Sequence, residues 1–314
     1  MNQTQVLHQV KPPEVSLTPT SKSLDVPVEK PLSQQYGGVH AGGWVNRLPK
    51  AWIPYVQLSR LSPPAGFILI YLPHLFGVIH AASMTHGSIE SVLYVSGVLL
   101  VGSLFCNNSS HAWNDLVDAP IDAQIERTKT RPIPRGAISP TFPTIIGTIY
   151  YPFAKRHTHL PQVVLGFCLT WGIMIGSSAM GVEKPWADTS TVCLLLGSVL
   201  WVILFDIIYA HQDLADDMKV GVKSLAVLIN GYAKPFLWTL VMVMTLLLYY
   251  SGVYGEMGPL YFLITVGGCA SSVGAMVALV DLKDPASCWM WFANGFWLTG
   301  TSIVAGLVAN YVVV

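Results

Sequence analysis

The chain has 314 residues, of which 52% are hydrophobic and only 11% are charged. Soluble domains carry roughly a quarter charged residues, so this composition excludes an ordinary soluble protein and indicates an integral membrane protein. The formal net charge of zero also removes the electrostatic case for nucleic-acid binding.

The first two segments are predicted to lie outside the membrane. Residues 1–43 are rich in Pro, Ser, Thr and Gln and lack a hydrophobic run, which predicts a disordered cytosolic tail. We expect neither a secretory signal nor an Arg-rich mitochondrial transit peptide there, since no arginine precedes Arg47. Residues 44–63 interleave aromatic and basic side chains, a pattern typical of an amphipathic segment at the membrane interface. A transmembrane domain is then predicted over residues 64–314.

Seven apolar stretches in that domain have about the 20 residues needed to cross a bilayer. They are residues 64–84, 92–112, 160–180, 189–210, 235–254, 259–280 and 290–314. Residues 142–154 are apolar but too short, and are predicted to be re-entrant or interfacial. The predicted fold is therefore all-α, a polytopic transmembrane helix bundle of about seven crossings. Gly172 and Gly176 form a GxxxG pair, which predicts close packing of one span on a neighbour.

Polar residues appear abruptly at the end of the second predicted span. Asn114, Asp118 and Asp122 follow at intervals of four, which places them on one face of a helix. We expect Pro120 to kink the helix or end it near Ala119, which would move Asp122 off the line of the other two. A half-polar helix end cannot face lipid, so this face is predicted to line a cavity.

The fourth predicted span ends in a second cluster, in which Tyr209, Asp213 and Asp217 are again four residues apart. We expect them to share one face of a helix. Asp206 lies within the apolar run, where it is either a buried charge held by a partner or a member of the same site. Carboxylates near a bilayer are costly and are usually kept for function. Two such sets of oxygen ligands suit Mg²⁺ holding a phosphate-bearing substrate.

Basic side chains follow each acidic cluster. They are Arg127, Lys129, Arg131 and Arg135 after the first cluster, and Lys219 and Lys223 after the second. A position in a cytosolic loop would by itself explain any one of these basic residues, because positive residues collect on the cytosolic face of membrane proteins. Together with the carboxylates, they predict a diphosphate site in which metal and cations neutralise the phosphate oxygens. Every Lys and Arg except Lys184 falls on the side of the clusters, which predicts a site facing the cytosol.

The two clusters resemble the paired aspartate motifs of the UbiA superfamily of intramembrane aromatic prenyltransferases. Residues 114–122 match its first motif, NDxxDxxxD, and residues 209–217 match its second, YxxxDxxxD. The flanks that also match are residues 127–132, 151–156, 161–162 and 221–224, together with Arg60. Residues 131–139 look most like the fungal meroterpenoid prenyltransferases of that superfamily.

The resemblance implies an enzyme, a Mg²⁺-dependent aromatic prenyltransferase. It would transfer a prenyl group, farnesyl by expectation, from its diphosphate to an aromatic polyketide acceptor such as a phenolic acid, in meroterpenoid biosynthesis. The alternative within the superfamily is a 4-hydroxybenzoate polyprenyltransferase of ubiquinone biosynthesis. Two other classes use intramembrane carboxylates, namely transporters and CDP-alcohol phosphatidyltransferases. We expect the endoplasmic reticulum membrane as the location, with the mitochondrial inner membrane as the alternative.

By the same resemblance, individual residues receive roles. The metal ligands would be Asn114, Asp118, Asp122, Asp213 and Asp217. The diphosphate contacts would be Arg127, Lys129, Lys219, Lys223 and Arg60. The catalytic residues would be Asp118, Asp213 and Tyr209.

The chain departs from the superfamily in one respect. The resemblance implies about nine crossings, two of them between the first motif and residues 151–156, and such a hairpin needs roughly 30 further residues. Here only a dozen residues lead from Ser139 to Tyr151. A helical hairpin is therefore predicted to be missing, and with it part of the cavity wall.

Overall fold

The computed structural model describes residues 44–134 and 155–313. Those residues are all-helical, without a strand, and seven of their helical segments are long and apolar enough to cross a membrane. The predicted fold class and the predicted seven crossings are confirmed. The predicted tail and the short segment 142–154 lie outside the described residues.

The helices fall into membrane spans and short connecting elements. They are α1 (Ile53–Leu58), α2 (Ala65–Thr85), α3 (Ile89–Asp122), α4 (Pro161–Thr170), α5 (Gly172–Ala179), α6 (Thr189–Ala210), α7 (Leu214–Val220), α8 (Leu225–Leu228), α9 (Ala233–Tyr254), α10 (Pro259–Tyr261), α11 (Gly268–Leu279) and α12 (Pro285–Val313). A π-helical turn, Phe262–Gly267, joins α10 to α11, so those three elements form one span. The helices α4 and α5 likewise form one span.

Helix α3 is much longer than its predicted span. Ser88 caps its first turn, because the Ser88 side chain accepts a hydrogen bond from the Ser91 amide at 3.2 Å. Its 34 residues extend about 51 Å, against about 30 Å for the hydrocarbon core. The expected end of the helix near Ala119 is wrong, since the helix continues to Asp122. The proline lies in the last turn, where it removes only one backbone hydrogen bond.

Helix α6 ends inside the second motif. It matches its predicted bounds and stops at Ala210, so the expectation that Tyr209, Asp213 and Asp217 share one helix is wrong. The chain turns at His211, whose ring Nδ1 lies 2.7 Å from the Ile207 carbonyl oxygen. Asp213 then flanks the short helix α7, which carries Asp217. The motif is therefore spread over a helix end and a separate helix.

The centre of the bundle is α6, which packs against α4, α9 and α12. Trp201 and Phe205 of this helix are fully buried, with ring centroids 5.5 Å apart. The predicted GxxxG contact is confirmed at the α2–α5 interface. A Cβ on Gly172 would lie 2.6 Å from the His74 ring, and one on Gly176 would lie 2.3 Å from the His74 carbonyl oxygen. Only glycine permits this approach of the two backbones.

Helix α3, in contrast, lies at the edge of the bundle. It packs along α2 and touches α1 and α5 at few points. Only 11% of its most apolar stretch is buried, compared with 72% for α6. Its exposed apolar residues include Leu93, Tyr94, Val98, Val101 and Phe105. Within the described part of the chain, no helix covers this face.

Candidate active site

A cavity of about 580 Å³ lies between α2, α3, α4 and α6. All five predicted metal ligands line it, namely Asn114, Asp118, Asp122, Asp213 and Asp217. The two acidic motifs therefore face one shared space, as their spacing in the sequence predicts. Tyr209, Arg127 and Arg60, also predicted site residues, line the same cavity.

Arg127, in the loop after the first motif, binds the second motif directly. Its Nε donates hydrogen bonds to both Asp213 carboxylate oxygens at 2.9 Å, and its Nη2 donates to Asp213 Oδ2 at 2.6 Å. Its Nη1 donates to the Tyr209 hydroxyl at 2.8 Å. Bidentate pairing of a guanidinium with a carboxylate fixes orientation as well as adding energy. The loop after α3 is thereby tied to the end of α6.

A tight series of turns returns the loop after α3 to the cavity. The Thr128 hydroxyl donates to the Asp122 carbonyl oxygen at 3.0 Å, and the Arg131 amide donates to the Thr128 carbonyl oxygen at 2.9 Å. Arg131 then reaches back to α3, where its Nη1 lies 2.7 Å from Asp122 Oδ2 and 3.6 Å from Asp115 Oδ1. The loop thus places one buried guanidinium, that of Arg131, on the first motif and another, that of Arg127, on the second.

Arg60 supports the other side of α3. Its Nη2 donates to Asp115 Oδ1 at 2.5 Å, and the Asp115 side chain is fully buried. Asp115 lies outside the i, i+4 column of the motif, so sequence reasoning does not single it out. Its contacts with both Arg60 and Arg131 give it a positioning role, because it holds two cations at the cavity wall.

Asp118 has one oxygen that is paired and one that is not. The Lys155 ammonium donates to Asp118 Oδ2 at 3.2 Å. Asp118 Oδ1 is buried, yet no described residue donates a hydrogen bond to it. Leaving a buried acceptor unsatisfied costs about 1–3 kcal/mol, and more for a charged group. A carboxylate oxygen in this situation suits a hard divalent cation such as Mg²⁺.

The carboxylates are not gathered into a metal cluster. In the described ranges, no three His, Cys, Asp or Glu side chains lie close enough to share an ion. Each motif carboxylate described above faces a cation instead: Asp213 faces Arg127, Asp122 faces Arg131 and Asp118 faces Lys155. The carboxylate oxygens are of the type that binds a divalent metal ion. In this arrangement, however, each of these three carboxylates is paired with an arginine or a lysine.

The electrostatics of the loop groups follow from burial and these pairs. Burial and, next, the neighbouring charge of Asp213 raise the pKa of Asp217 to about 7, while Lys155 and Arg127 act to lower it. Burial opposes the charge of Arg127, but the adjacent Asp213 outweighs it and the pKa of Arg127 is raised. The guanidinium therefore remains charged at any physiological pH.

Asp206 lies deeper in the cavity, where its carboxylate is half-buried beside the Gln162 side chain. Gln162 Oε1 accepts a hydrogen bond from the Leu225 amide at 3.0 Å. Both side chains line the cavity, so Asp206 shares the space of the two motifs.

An aromatic wall adjoins the ion pairs. The Tyr209 and Phe292 ring centroids are 4.4 Å apart, and those of Phe205 and Phe292 are 5.9 Å apart. All three rings line the cavity, and the Arg127 guanidinium carbon lies 5.0 Å from the centroid of the Tyr209 ring. Aromatic faces attract positive charge, so this wall suits a carbocation formed beside it.

The comparison with known families decides the identity. Two segments, residues 70–149 and 141–300, match the UbiA prenyltransferase family. The chain belongs to this family. The prediction of an intramembrane aromatic prenyltransferase is confirmed. Enzymes of the UbiA family generally use a divalent metal ion, and their substrates are a prenyl diphosphate and an acceptor met in a membrane.

Individual UbiA-family relatives agree with this assignment. Prenyltransferase stbC of Stachybotrys bisbyi is 31% identical, over 76% of this chain and 81% of the relative. The mitochondrial 4-hydroxybenzoate polyprenyltransferase of Saccharomyces cerevisiae is 31% identical, over 93% of this chain and 84% of the relative. The apo structure of a UbiA homolog from Aeropyrum pernix K1 superposes with a TM-score of 0.59, at 18% identity, and covers 78% of this chain and 97% of its own.

These alignments also support the predicted missing hairpin. The alignment with stbC runs over 271 residues, but the 76% of this 314-residue chain that it covers is only about 239 residues. For the yeast enzyme the corresponding lengths are 323 and about 292 residues. Both relatives therefore carry about 30 residues without a counterpart here. The two segments that match the UbiA family meet at residues 141–149, which locates the difference between α3 and α4.

Three predicted diphosphate contacts do not line the cavity of this UbiA-family chain. Lys129 pairs with Glu126, and Lys219, whose side chain is 75% exposed, pairs with Asp216 at 3.1 Å. Lys223 contributes its backbone amide, which donates to the Lys155 carbonyl oxygen at 3.1 Å. Arg131 and Lys155 line the cavity in their place. The signal for both was present, since each lies in a flank that matches the UbiA motifs.

Proposed function

We propose that this UbiA-family enzyme transfers a farnesyl group from farnesyl diphosphate to an aromatic polyketide acceptor such as a phenolic acid. The observation that carries the proposal is that both aspartate motifs line one cavity beside an aromatic wall, where Arg127 from the loop after the first motif binds Asp213 and Tyr209 of the second. The similarity to fungal prenyltransferases supports the choice of acceptor. We further propose an endoplasmic reticulum location with the site facing the cytosol, because Lys and Arg collect at that end.

Donor binding would exchange the ion pairs. In the arrangement seen here, Arg127, Arg131 and Lys155 neutralise motif carboxylates. A diphosphate offers these cations better partners, since its oxygens accept several charge-assisted hydrogen bonds. The carboxylates of Asp118 and Asp213 would then be released. By this exchange, the same cations would pair with carboxylates before the donor binds and with the diphosphate afterwards.

The released side chains would hold the metal. Asn114, Asp118, Asp122, Asp213 and Asp217 supply oxygen ligands of the type that Mg²⁺ prefers. The bound ion would supply charge that stabilises the departing diphosphate. Arg127, Arg131 and Lys155 would add to that stabilisation from the other side of the diphosphate.

The transfer itself breaks one bond and forms another. The allylic C–O bond breaks, and the diphosphate leaves with the electron pair. The cationic allylic carbon, held against Phe205, Tyr209 and Phe292, is attacked by an electron-rich carbon of the acceptor ring. The ring then loses its proton to diphosphate or to water and regains aromaticity. Tyr209 also orients Arg127 through its hydroxyl.

A 4-hydroxybenzoate acceptor is the second candidate. The similarity to the yeast mitochondrial enzyme extends over 93% of this chain and favours it. Both candidates use the same donor site and the same bond changes, so only the acceptor distinguishes them.

The experiment is a prenylation assay in membranes containing the enzyme, with Mg²⁺, farnesyl diphosphate and a panel of phenolic acids that includes 4-hydroxybenzoate. We expect a C-prenylated phenolic acid, detected by mass spectrometry. Asp213→Asn should lower the rate about 100-fold or more, because it removes charge from the site. Asp216→Asn is the matched control, since Asp216 pairs with Lys219 outside the cavity. Absence of product with every acceptor, or equal activity of both variants, would contradict the proposal.

A further inference from the structure

A short segment before the first membrane span presents aromatic side chains outward. It consists of a 3₁₀ turn, Trp44–Arg47, followed by helix α1. We call residues 44–58 the α1 platform. Trp44, Trp52 and Tyr55 are 49%, 64% and 49% exposed. Tryptophan and tyrosine are enriched where a membrane meets water, because each ring is apolar over most of its surface and also carries a hydrogen-bonding group.

The α1 platform is also positively charged. Residues 44–58 include Arg47 and Lys50 and contain no acidic residue. Both basic side chains are exposed, and neither forms an ion pair with another residue that the structure describes. A surface that combines cations with aromatic rings is complementary to a layer of acidic lipid headgroups.

The α1 platform lies at the height of the headgroups. Leu58 and Ile133 form a small apolar core with Ala112, Leu116 and Ala119 of α3. The apolar stretch of α3 ends at Ala112, so Leu116 and Ala119 lie about 6 and 10 Å beyond it along the helix axis. The headgroup region adds about 5–8 Å on each side of the hydrocarbon core. Packing on α3 therefore places α1 at the membrane surface on the side of the aspartate motifs.

The end of α1 is connected to the candidate active site. Arg60 follows the helix and donates to Asp115 Oδ1, and the Ser59 carbonyl oxygen accepts a hydrogen bond from the Asn107 side-chain amide at 2.9 Å. The φ of Arg60 is +50° to the nearest ten degrees, printed as 49°, in the left-handed region that residues other than glycine rarely adopt. The position of the Arg60 guanidinium therefore depends on the position of α1.

Contacts inside the protein cover only one side of α1. The helix has six residues, and isolated helices shorter than about 12 residues are marginal in water. Its buried residues are Gln57 and Leu58. Its other side carries the exposed Tyr55 and adjoins the exposed Trp52. A bilayer surface would cover this second side and stabilise the helix.

We propose that the α1 platform binds acidic phospholipid headgroups in the leaflet next to the aspartate motifs and thereby keeps Arg60 at Asp115. Arg47 and Lys50 pair with the acidic groups of the lipid, and the rings of Trp44 and Trp52 enter the interface between them. Arg60 is the positioning residue that connects this surface to the cavity. The effect on prenyl transfer rests on the proposed function, whereas the contact with lipid does not.

The first test measures the order of α1 without catalysis. The full chain is placed in nanodiscs of phosphatidylcholine alone or of an equal mixture with phosphatidylserine, and amide hydrogen exchange is followed in residues 53–58. Each basic residue near an acidic surface strengthens binding about fivefold, so phosphatidylserine should slow this exchange about tenfold or more. High salt should remove the effect, because it screens the headgroup charge.

Two double variants show whether the slowing depends on the α1 platform. Arg47→Gln/Lys50→Gln should lose it. Lys219→Gln/Lys283→Gln is the matched control, because it removes two positive charges from exposed positions elsewhere on the same side of the membrane, and it should keep the slowing. Equal exchange in the two kinds of nanodisc, or equal loss in both double variants, would overturn the proposal.

A further arm distinguishes a lipid surface from a site for a soluble anion. O-phosphoserine, which carries the acidic groups of the headgroup without the lipid, is added to phosphatidylcholine nanodiscs. It should leave exchange in residues 53–58 unchanged, because it forms no charged surface for the rings and cations to share. Slowing by O-phosphoserine would identify a soluble-anion site and would overturn the lipid surface.

The second test measures the connection to the cavity. Phosphatidylserine in vesicles should raise kcat/KM for prenyl transfer about fivefold in the wild type, because it raises the fraction of enzyme with Arg60 in place. Lys219→Gln/Lys283→Gln should show the same increase, and Arg47→Gln/Lys50→Gln should show none. Arg60→Gln should retain the slowed exchange of α1 but lose the increase in its remaining activity. An increase retained in Arg60→Gln would overturn the positioning role.

Failure of this inference is separable from failure of the proposed function. Slowed exchange together with equal prenyl transfer in both kinds of vesicle would overturn the connection through Arg60 and leave the function intact. Absence of transfer in every vesicle would overturn the function, while hydrogen exchange would still report whether the α1 platform binds acidic lipid.

Discussion

At the scale of single residues, the site is a set of paired charges. Arg127 is the most connected of them, since it binds both Asp213 oxygens and the Tyr209 hydroxyl. Its planar, forked guanidinium is required for this geometry, and a lysine ammonium cannot reproduce it. Removing one partner from a buried pair also leaves the other charge unpaired, which is strongly destabilising.

Arg127→Lys tests whether the guanidinium geometry is needed in addition to the positive charge. We expect prenyl transfer to fall about 100-fold, because lysine keeps the positive charge but loses the simultaneous contacts with carboxylate and tyrosine. The measurement is kcat/KM for the donor in the membrane assay. Arg47→Lys, at an exposed position before α1, is the control and should behave as wild type. A fully active Arg127→Lys enzyme would show that charge alone is sufficient.

Two lysines test the revised set of diphosphate contacts. Lys155 lines the cavity and bonds to Asp118, whereas Lys219 points outward and pairs with Asp216. Lys155→Met should raise the KM for farnesyl diphosphate about tenfold, since a charge-assisted hydrogen bond is worth about 1.5–3 kcal/mol. Lys219→Met should leave it unchanged. A higher KM in Lys219→Met together with an unchanged KM in Lys155→Met would instead support Lys219 as a diphosphate contact, as the sequence predicts.

At the scale of helices, sequence patterns succeed where one physical cause dominates. The bounds of α6 are predicted to the residue, because its apolar run and its hydrogen-bonded helix coincide. The sequence underestimates the length of helix α3, because backbone hydrogen bonding continues for ten residues beyond Ala112, where the apolar pattern stops. The break between Tyr209 and Asp213 is not visible in the spacing of the motif, and it accompanies contacts of Asp213 with Arg127, 86 positions earlier in the chain. The placement of five metal-ligand candidates around one cavity was predictable from motif spacing, whereas the exclusion of Lys129 and Lys219 depends on side-chain direction.

The α2–α5 contact gives a prediction about stability. Gly176→Ala would place a methyl group 2.3 Å from the His74 carbonyl oxygen, so the two helices must separate. We expect a loss of about 1–3 kcal/mol in the free energy of unfolding, seen as a lower Tm in detergent. Gly97→Ala, on the open face of α3, should be neutral or should stabilise by up to about 1 kcal/mol. Equal Tm values for the two variants would contradict the tight packing.

At the scale of the whole molecule, the α2, α3, α4–α5 and α6 spans, together with Phe292 of α12, enclose a cavity that is charged at one end. The two halves of the charged end come from distant parts of the chain and meet through Arg127 and Asp213. A ligand that binds both halves should therefore stabilise the entire bundle.

That linkage predicts a change in thermal stability that requires both substrate parts. Mg²⁺ together with farnesyl thiodiphosphate should raise the Tm of the wild type, and EDTA should reduce the increase. The analogue without metal should have a smaller effect, because the released carboxylates would then repel the diphosphate. Asp213→Asn should lose the increase and Asp216→Asn should keep it. An increase that is insensitive to EDTA would argue against a divalent ion at the site.

The pairing of charges around the cavity has a consequence for how the donor arrives. Arg60, Arg127, Arg131 and Lys155 are paired with Asp115, Asp118, Asp122 and Asp213, and Asp206 and Asp217 add two further carboxylates to the cavity lining. A site whose cations are all paired with carboxylates projects no positive field beyond a Debye length, so it cannot steer an anionic substrate from bulk water. Capture of the prenyl diphosphate must instead depend on its apolar chain, which diffuses in two dimensions through the bilayer. The association rate of the donor should therefore change little with ionic strength.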